Sequence, residues 1–388
     1  MHYRRFGKTE FKMPVISCGG MRFQQSWKTG DPVPEDRQRD LEACIRKAID
    51  LGITHFETAR GYGTSEYQLG KILPQLPRDQ ILVQTKVGPM SDVKKFIDTF
   101  EQSMSLLQLD YIDVFSFHGV NNTALLDDAM KCMDTALAWK KEGRIRDIGF
   151  STHGLEADIS AAINSGAFDH VNLHWYYFFQ DNWPSIEAAK RHDMGVFIIS
   201  PNDKGGLLYR PSAKLVELTA PLHPMVFNGL FCLAHPEVHT LSCGVSRHED
   251  FDIHVDTIAK LDCAWDHVRP IVKRLEDEMA KTLGDDWAAS WHEGVPEWNA
   301  VPGGMNARWI LRLRNLALAY DMIEYGKMRY NMLGNGGHWF PGGKAETFDK
   351  QALAAALNGA KHAAKIPAAL EEAHTLLKGD DKKRLQES

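Results

Sequence analysis

Four side chains in the N-terminal part of the sequence have the types needed to pass a proton: Glu57 and Tyr62 in HFETARGYGTSE, Lys86 closing ILVQTK, and His118 after VFSF. A phenol, with an unperturbed pKa of about 10, is a poor acid or base at neutral pH, but a neighbouring ammonium favours the phenolate and lowers that value. Lys86 is expected to act in this way on Tyr62. Glu57 would hold the lysine charged and aimed, and His118 would orient or polarise a substrate oxygen. Neither an activated Ser or Cys nucleophile nor a metal-ligand spacing accompanies them. Each residue also has an ordinary explanation: a structural ion pair, a packed tyrosine, a core histidine. The chemical reading rests on their combination at successive strand ends: Glu57, Lys86 and His118 close three strand-like runs, and Tyr62 lies in the loop just beyond the first.

Those runs belong to a longer pattern. Between residues 15 and 244 the short segments VISCGG, ITHFETA, ILVQTKV, YIDVFSFHG, IRDIGFS, HVNLHWYY, GVFIISP and TLSCGVS alternate with helical stretches. One helix face carries Leu41, Cys44, Ile45, Ala48 and Ile49, and another Ile97, Phe100, Met104 and Leu107; ALLDDAMKCMDTALAWKKEG ends on a glycine stop. Eight strands with helical crossovers predict an α/β fold, a closed (β/α)8 TIM barrel of about 250 residues, whose chemistry sits at the C-terminal strand ends. A doubly wound sheet usually has fewer strands and a G-x-G-x-x-G turn after the first, which is missing after VISCGG. HYRRFGKTEFKMPVI predicts an N-terminal β-hairpin turning at Gly7-Lys8. Past residue 245 the composition turns helical, so the expected division is a barrel over 1–255 and a C-terminal α-helical extension over 256–388. Within the extension DDWAASWHEGVPEWNAVPGG reads as an ordered loop, and the final KGDDKKRLQES is expected to fray.

Composition narrows the function classes. The 388 residues are 44% hydrophobic and 25% charged, with a net charge of −6 and no basic run, so neither nucleic acid nor membrane is expected as a partner. The first residues have charge but no apolar core of a leader, which makes the cytoplasm the expected compartment. Six cysteines lie far apart without a C-x-x-C pair. A small-molecule substrate is expected, and homo-oligomerisation is left open.

Glu57-Thr58-Ala59-x-x-Tyr62-Gly63-x-Ser65-Glu66, the QTK ending at Lys86, and His118 resemble the signature residues of the aldo-keto reductases. The likeness continues through IGFSTHG at 148–154, ISPNDKGGLL at 199–208 and CGVSRHEDFDIH at 243–254. The resemblance implies hydride transfer between a nicotinamide cofactor and a carbonyl or carbinol carbon, with Tyr62 exchanging the proton. It implies cofactor contacts from Gly20 and Met21; from Ser151 and Asn172 to the carboxamide; from Ser200, Asn202, Lys204, Gly205, Gly206 and Leu207 over the pyrophosphate; and from Gly244, Ser246, Arg247, Glu249, Asp250 and His254 around the adenosine.

The sequence departs from the family pattern at several places. Glu57 stands where Asp is usual, adding about 1 Å of reach. Ile199 stands where many members stack an aromatic ring. Gly244 and Asp250 replace the basic residue of NADP-selective members, and because a carboxylate repels a 2′-phosphate, NAD is favoured over NADP, with Arg247 as counterweight. AYDMIEYGKMRYNML and KIPAALEEAHTLL resemble the tail of a bacterial branch that carries a ferredoxin-like cysteine cluster. Here ALNGAKHAAKIP has no thiolates, so no Fe–S cluster is expected.

Six of the ten tryptophans follow residue 260, and aromatic faces suit sugar rings. With Trp27 and Trp175 assigned to the barrel rim, the expected substrate is a sugar or polyol derivative. Two alternatives stay open at this level: an enzyme whose retained NAD takes and returns a hydride with no net redox change, as in epimerisation or elimination, and a non-catalytic regulatory subunit of the kind some family members form with channels.

Overall fold

Residues 1–382 are described by a computed structural model. Parallel strands are buried on both faces and need helices outside and packed side chains within. β1 (Tyr3–Arg5) and β2 (Lys12–Pro14) pair antiparallel, turning through Gly7–Thr9. β3 (Ile16–Gly19), β4 (His55–Glu57), β5 (Leu82–Val87), β6 (Ile112–His118), β7 (Ile145–Ser151), β8 (His170–Leu173), β9 (Gly195–Ile198) and β10 (Thr240–Gly244) then close into a parallel barrel in chain order, with β10 against β3. The eight-stranded barrel expected from the sequence is therefore present, strand for strand, together with its hairpin.

Local signals explain the crossovers. The helix Val93–Leu107 begins where the Asp92 side chain accepts from the Lys95 amide at 3.2 Å, and Thr123–Lys141 begins where Asn122 does the same for Leu125 at 3.0 Å. Their buried faces meet in an aromatic stack: Trp139 lies on Phe100 with centroids 3.9 Å apart, and Phe96 lies on Phe117 at 5.4 Å. Phe117 points outward into this stack, and alternation turns its neighbour His118 towards the barrel interior.

One layer below the rim the interior is polar. His55, Gln84, Ser116 and His170 each precede a rim residue by two positions (Glu57, Lys86, His118 and Asn172), so they share its face of the strand. His170 Nδ1 is 2.8 Å from Asp147 Oδ2 and its Nε2 is 2.8 Å from Ser116 Oγ, while Gln84 Nε2 donates to Ser116 Oγ at 2.8 Å. Ser17 joins His55 and Thr240, each at 2.7 Å. Burial, with help from His170 and Lys86, pushes the His55 imidazole down to about 3, so it stays neutral. The Ser116–His170–Asp147 order is that of a hydrolase relay. All three are within 1% of complete burial, so no substrate reaches them and the array is a strut.

The chain divides into two compact units, residues 1–201 with 228–264, and residues 202–227 with those from 265 onward. The division expected at residue 255 falls after Ala264 instead, and 202–227 group with the helices although they lie between two barrel strands. Hydrogen bonds account for this: Ser212 Oγ donates to the Tyr320 carbonyl at 2.7 Å, and Arg274 donates to the carbonyls of Leu218 and Ala220. In the second unit Arg312 lies over Trp291 and Trp309, and Arg329 over Trp309 and Phe340, with guanidinium-to-centroid distances of 3.8–5.5 Å. Trp287 is buried and donates to Asn315 Oδ1 at 3.1 Å. These aromatic faces are occupied by the unit's own side chains, so they do not support the sugar assignment drawn from tryptophan content. The start of the segment expected to fray is tied down, with Lys382 N donating to the Asn331 carbonyl at 2.9 Å and Asp381 paired with Lys344; residues 383–388 lie outside the described residues. Among the described residues no helix is long and apolar enough to cross a membrane.

His170→Ala would leave the Asp147 carboxylate buried without its imidazole. It should cost about 3 kcal/mol of stability, read as a lower denaturant midpoint with the barrel's circular dichroism intact before the transition.

Candidate active site

Strand register sets the rim. Gly19 lies opposite Glu57, Lys86 opposite Ser116, His118 opposite Ser151, and Ser151 opposite Asn172. Lys86 is 1% exposed; its Nζ donates to Glu57 Oε1 and, at 2.8 Å, to the Thr58 carbonyl. The same Nζ stands 4.9 Å from the Tyr62 ring centroid, and that ring meets His118 edge-on at 5.6 Å. The four expected residues are thus brought together at the C-terminal ends of β4, β5 and β6.

The loop that presents Tyr62 is clamped at both ends. Arg60 pairs with the fully buried Glu66, which also accepts from Thr85 Oγ1 at 2.6 Å, and the Arg60 amide donates to the Lys86 carbonyl at 2.9 Å. Thr58 Oγ1 and Ser65 Oγ are 2.8 Å apart, and Ser65 reaches the Gly20 carbonyl at 2.9 Å. Gly63 has φ 53°, and a Cβ there would fall 1.8 Å from the Ser26 carbonyl oxygen. Only glycine fits that contact, which seats the tyrosine loop against residues 26 and 27.

The phenol's acidity is the reverse of the sequence expectation. Burial, then the Glu57 charge and a hydrogen bond to that carboxylate, push Tyr62 well above its ordinary value. The expected lowering by Lys86 is outweighed first by burial and then by Glu57, which takes the ammonium on Oε1 and sets its own charge against the phenol. Burial also lowers the Lys86 pKa, against which Glu57 and Glu66 both act.

The expected cofactor residues fall into three groups. Asn172 is fully buried, and neither its side-chain nitrogen nor its oxygen has a hydrogen bond. A primary carboxamide offers one acceptor and two donors, which fits that pair. Ser151 lies beside it, its Oγ accepting from the Gly119 amide at 3.1 Å. Gly20 is packed under the tyrosine loop, where a Cβ would meet the Glu57 carbonyl at 2.7 Å, and half-buried Met21 follows it. Ser200 has φ 52°, a conformation non-glycine residues adopt at some cost.

On the loop after β10, Asp250 Oδ2 accepts from the amides of Ser246 and Arg247 at 2.8 and 3.1 Å, and Oδ1 faces Arg247 Nη2 at 3.4 Å. The carboxylate that was expected to repel a phosphate is therefore a turn cap, half neutralised by the arginine expected to oppose it. Gly244 is exposed, Glu249 pairs with His248, and burial pushes His254 down to about 4. Asn202, Lys204, Gly205, Gly206 and Leu207 belong to the second unit, where the Tyr325 hydroxyl donates to the Lys204 carbonyl at 2.6 Å.

Of the two substrate tryptophans, Trp27 is 36% exposed and sits beside Gly63. Trp175 is a correction: it is 2% exposed, stacked on Phe231 at 5.1 Å and packed against Trp183 and His235, so it has no face to offer a ligand. HVNLHWYY hid this because the strand ends at Leu173. Sequence reasoning missed Ser242, whose Oγ donates to Glu57 Oε2 at 3.2 Å, and the edge-on pair His153 and His174, centroids 4.4 Å apart. The spacing of Thr240 and Ser242 in TLSCGVS, two apart and hence on one face, was the available signal for the first.

A parallel eight-stranded barrel with this tetrad at its rim defines a class of enzyme, and residues 15–214 match the Aldo/keto reductase family. The chain belongs to that family. It is 30% identical over 216 residues to L-galactose dehydrogenase of Arabidopsis thaliana, covering 51% of this chain and 64% of that protein. It is 28% identical over 172 residues to L-glyceraldehyde 3-phosphate reductase of Escherichia coli K12, covering 40% and 46%. The matched part is less than two thirds of either relative. An aldo/keto reductase from Klebsiella pneumoniae, solved in complex with NADP and acetate, shares the fold with a TM-score of 0.54 at 21% identity, over 67% of this chain and 90% of that one.

Burial and the Arg329 charge, partly opposed by Asp203, pull the Lys204 amine down to about 7. It is charged below that pH and neutral above it. Trace acylation followed by peptide mass spectrometry across pH 6 to 9 should show Lys204 gaining reactivity about three pH units before ordinary lysines; a lysine-like profile at that peptide would contradict it.

Proposed function

We propose that this protein is a nicotinamide-dependent oxidoreductase that moves a hydride between the cofactor and a carbonyl or carbinol carbon, with Tyr62 exchanging the proton. The convergence of Tyr62, Lys86, Glu57 and His118 at one end of the barrel carries this reading. A bound nicotinamide supplies the hydride chemistry. The chain's own residues do the rest. In reduction the Tyr62 hydroxyl protonates the nascent alkoxide, a step that a phenol kept protonated by burial and by Glu57 is ready to perform. In oxidation the same phenol must first lose its proton, and the Lys86 charge beside the ring opposes the cost that Glu57 imposes. His118, edge-on to Tyr62, is placed to hold the substrate oxygen. Asn172 and Ser151 would orient the carboxamide, and Trp27 borders the entrance.

A sugar-like substrate is supported by the relatives, whose names are those of a galactose dehydrogenase and a glyceraldehyde phosphate reductase. For the cofactor we favour NAD. Asp250 holds Arg247 as its own partner, which takes that arginine away from a 2′-phosphate and that carboxylate away from repelling one, while Arg22 lies against Gly244, so the preference should be modest.

Tyr62→Phe should lower turnover by about 10²- to 10⁴-fold while leaving nucleotide affinity, read by fluorescence titration, nearly unchanged; full activity in this variant removes Tyr62 from the chemistry. Asn172→Ala should weaken nucleotide binding by about tenfold without moving the pH profile of the remaining activity.

A further inference from the structure

Glu57 serves two hydrogen-bond donors and acts on a third group. Its Oε1 takes Lys86, its Oε2 accepts from Ser242 Oγ at 3.2 Å, and its charge acts on the Tyr62 phenol, whose ring lies 4.9 Å from the Lys86 Nζ that Glu57 holds. Ser242 is not on a neighbouring strand. β10 pairs with β3, and β3 pairs with β4, so the serine reaches Glu57 across β3. The β3 residue at that level is Gly19, opposite Glu57 on one side and Gly244 on the other. A Cβ at position 19 would stand 2.6 Å from Ser242 Oγ and 3.4 Å from Glu57 Oε2. Any side chain on residue 19 would therefore occupy the path of the hydrogen bond.

We propose that Ser242 is a positioning residue for proton transfer: by donating to Glu57 across the gap left by Gly19, it holds the second carboxylate oxygen and limits its grip on the Tyr62 hydroxyl. The proposal rests on the reading of Tyr62 as the proton-transfer group. Glu57 is long enough to turn either oxygen towards the phenol. With Ser242 in place, Oε2 has a donor on the β10 side of the barrel, and the carboxylate lies between Lys86 and Ser242. Without it, Oε2 loses its donor on the β10 side, and the anion is free to turn towards the phenol.

The charged and titratable groups around this arrangement include Cys18 of β3, whose thiol burial keeps protonated and which feels the Glu57 charge, and His55, kept neutral below the rim and feeling the Lys86 charge. Glu57 comes from β4, Lys86 from β5 and His118 from β6, with Glu66 acting on Lys86 from behind and Arg60 paired to Glu66. Ser242 carries no charge, so its removal changes the phenol through the carboxylate's position and hydrogen bonding, not through a new charge.

Tyr62 can be titrated without turnover by incorporating 3,5-difluorotyrosine at position 62, whose phenol ionises at lower pH and changes its absorbance. Ser242→Ala should raise the ionisation midpoint of that residue by about one pH unit, and the alkaline shift should reappear in the pH profile of alcohol oxidation. Ser242→Thr, which keeps the hydroxyl, should titrate as the unsubstituted protein does. Coincident midpoints for the alanine variant and the parent, a downward shift, or a threonine variant displaced as far as the alanine one would each overturn the proposal. A parent enzyme inert towards every carbonyl tried would sink the function proposed above and leave this titration readable.

Discussion

An ammonium inside a protein barrel carries a desolvation cost of several kcal/mol that its own strand cannot offset, and Lys86 is such an ammonium. Its neighbours on β5 are apolar or neutral, so compensation has to come from elsewhere in the rim. Glu57 supplies the opposing charge from β4, and the Thr58 carbonyl supplies a further acceptor. The carboxylate is buried in turn and needs a donor beyond the lysine, which it finds in Ser242, and its charge reaches Tyr62. The site is thus a chain of obligations started by one buried charge.

That chain explains why the phenol is held protonated. Opposite charges within a few ångströms stabilise each other, and a third group attached to the anion inherits the anion's demand for a proton. A lysine placed to acidify a tyrosine does so fully only when its own counterion is turned away. Here the counterion is one methylene longer than the family's usual aspartate, and it has the reach to serve the lysine and the tyrosine together.

Precision at the rim depends on the layer beneath it. The Gln84–Ser116–His170–Asp147 array ties β5, β6, β7 and β8 together beneath the rim, Gln84, Ser116 and His170 each two residues before a rim group, with every member buried. A buried hydrogen-bonded array of this kind fixes strand spacing, because each bonded member that moved would leave a partner's polar atom unpaired in a low-dielectric interior. Above the rim, the Arg60–Glu66 pair and the close approach at Gly63 fix the tyrosine loop in the same sense. In the helical unit, arginines sandwiched between aromatic rings show a different solution to burying cations, with π faces lining the guanidinium groups.

The eight strands, the hairpin and the four rim residues could be read from the chain because each depends on local pattern: apolar runs of strand length, helix caps such as Asp92 and Asn122, and polar residues closing the strands. The tetrad's membership is a one-dimensional fact. What surrounds the phenol is not, since the upward shift of Tyr62 comes first from burial and then from Glu57, and that carboxylate also meets Ser242, a residue 185 positions away that reaches it only because Gly19 leaves the space between them. The grouping of residues 202–227 with the helices and the burial of Trp175 were hidden for the same reason. Sequence spacing sets which face of a strand a residue takes, whereas hydrogen-bond partners and burial are set by contacts between segments far apart in the chain, which only the closed barrel and the folded helical unit establish.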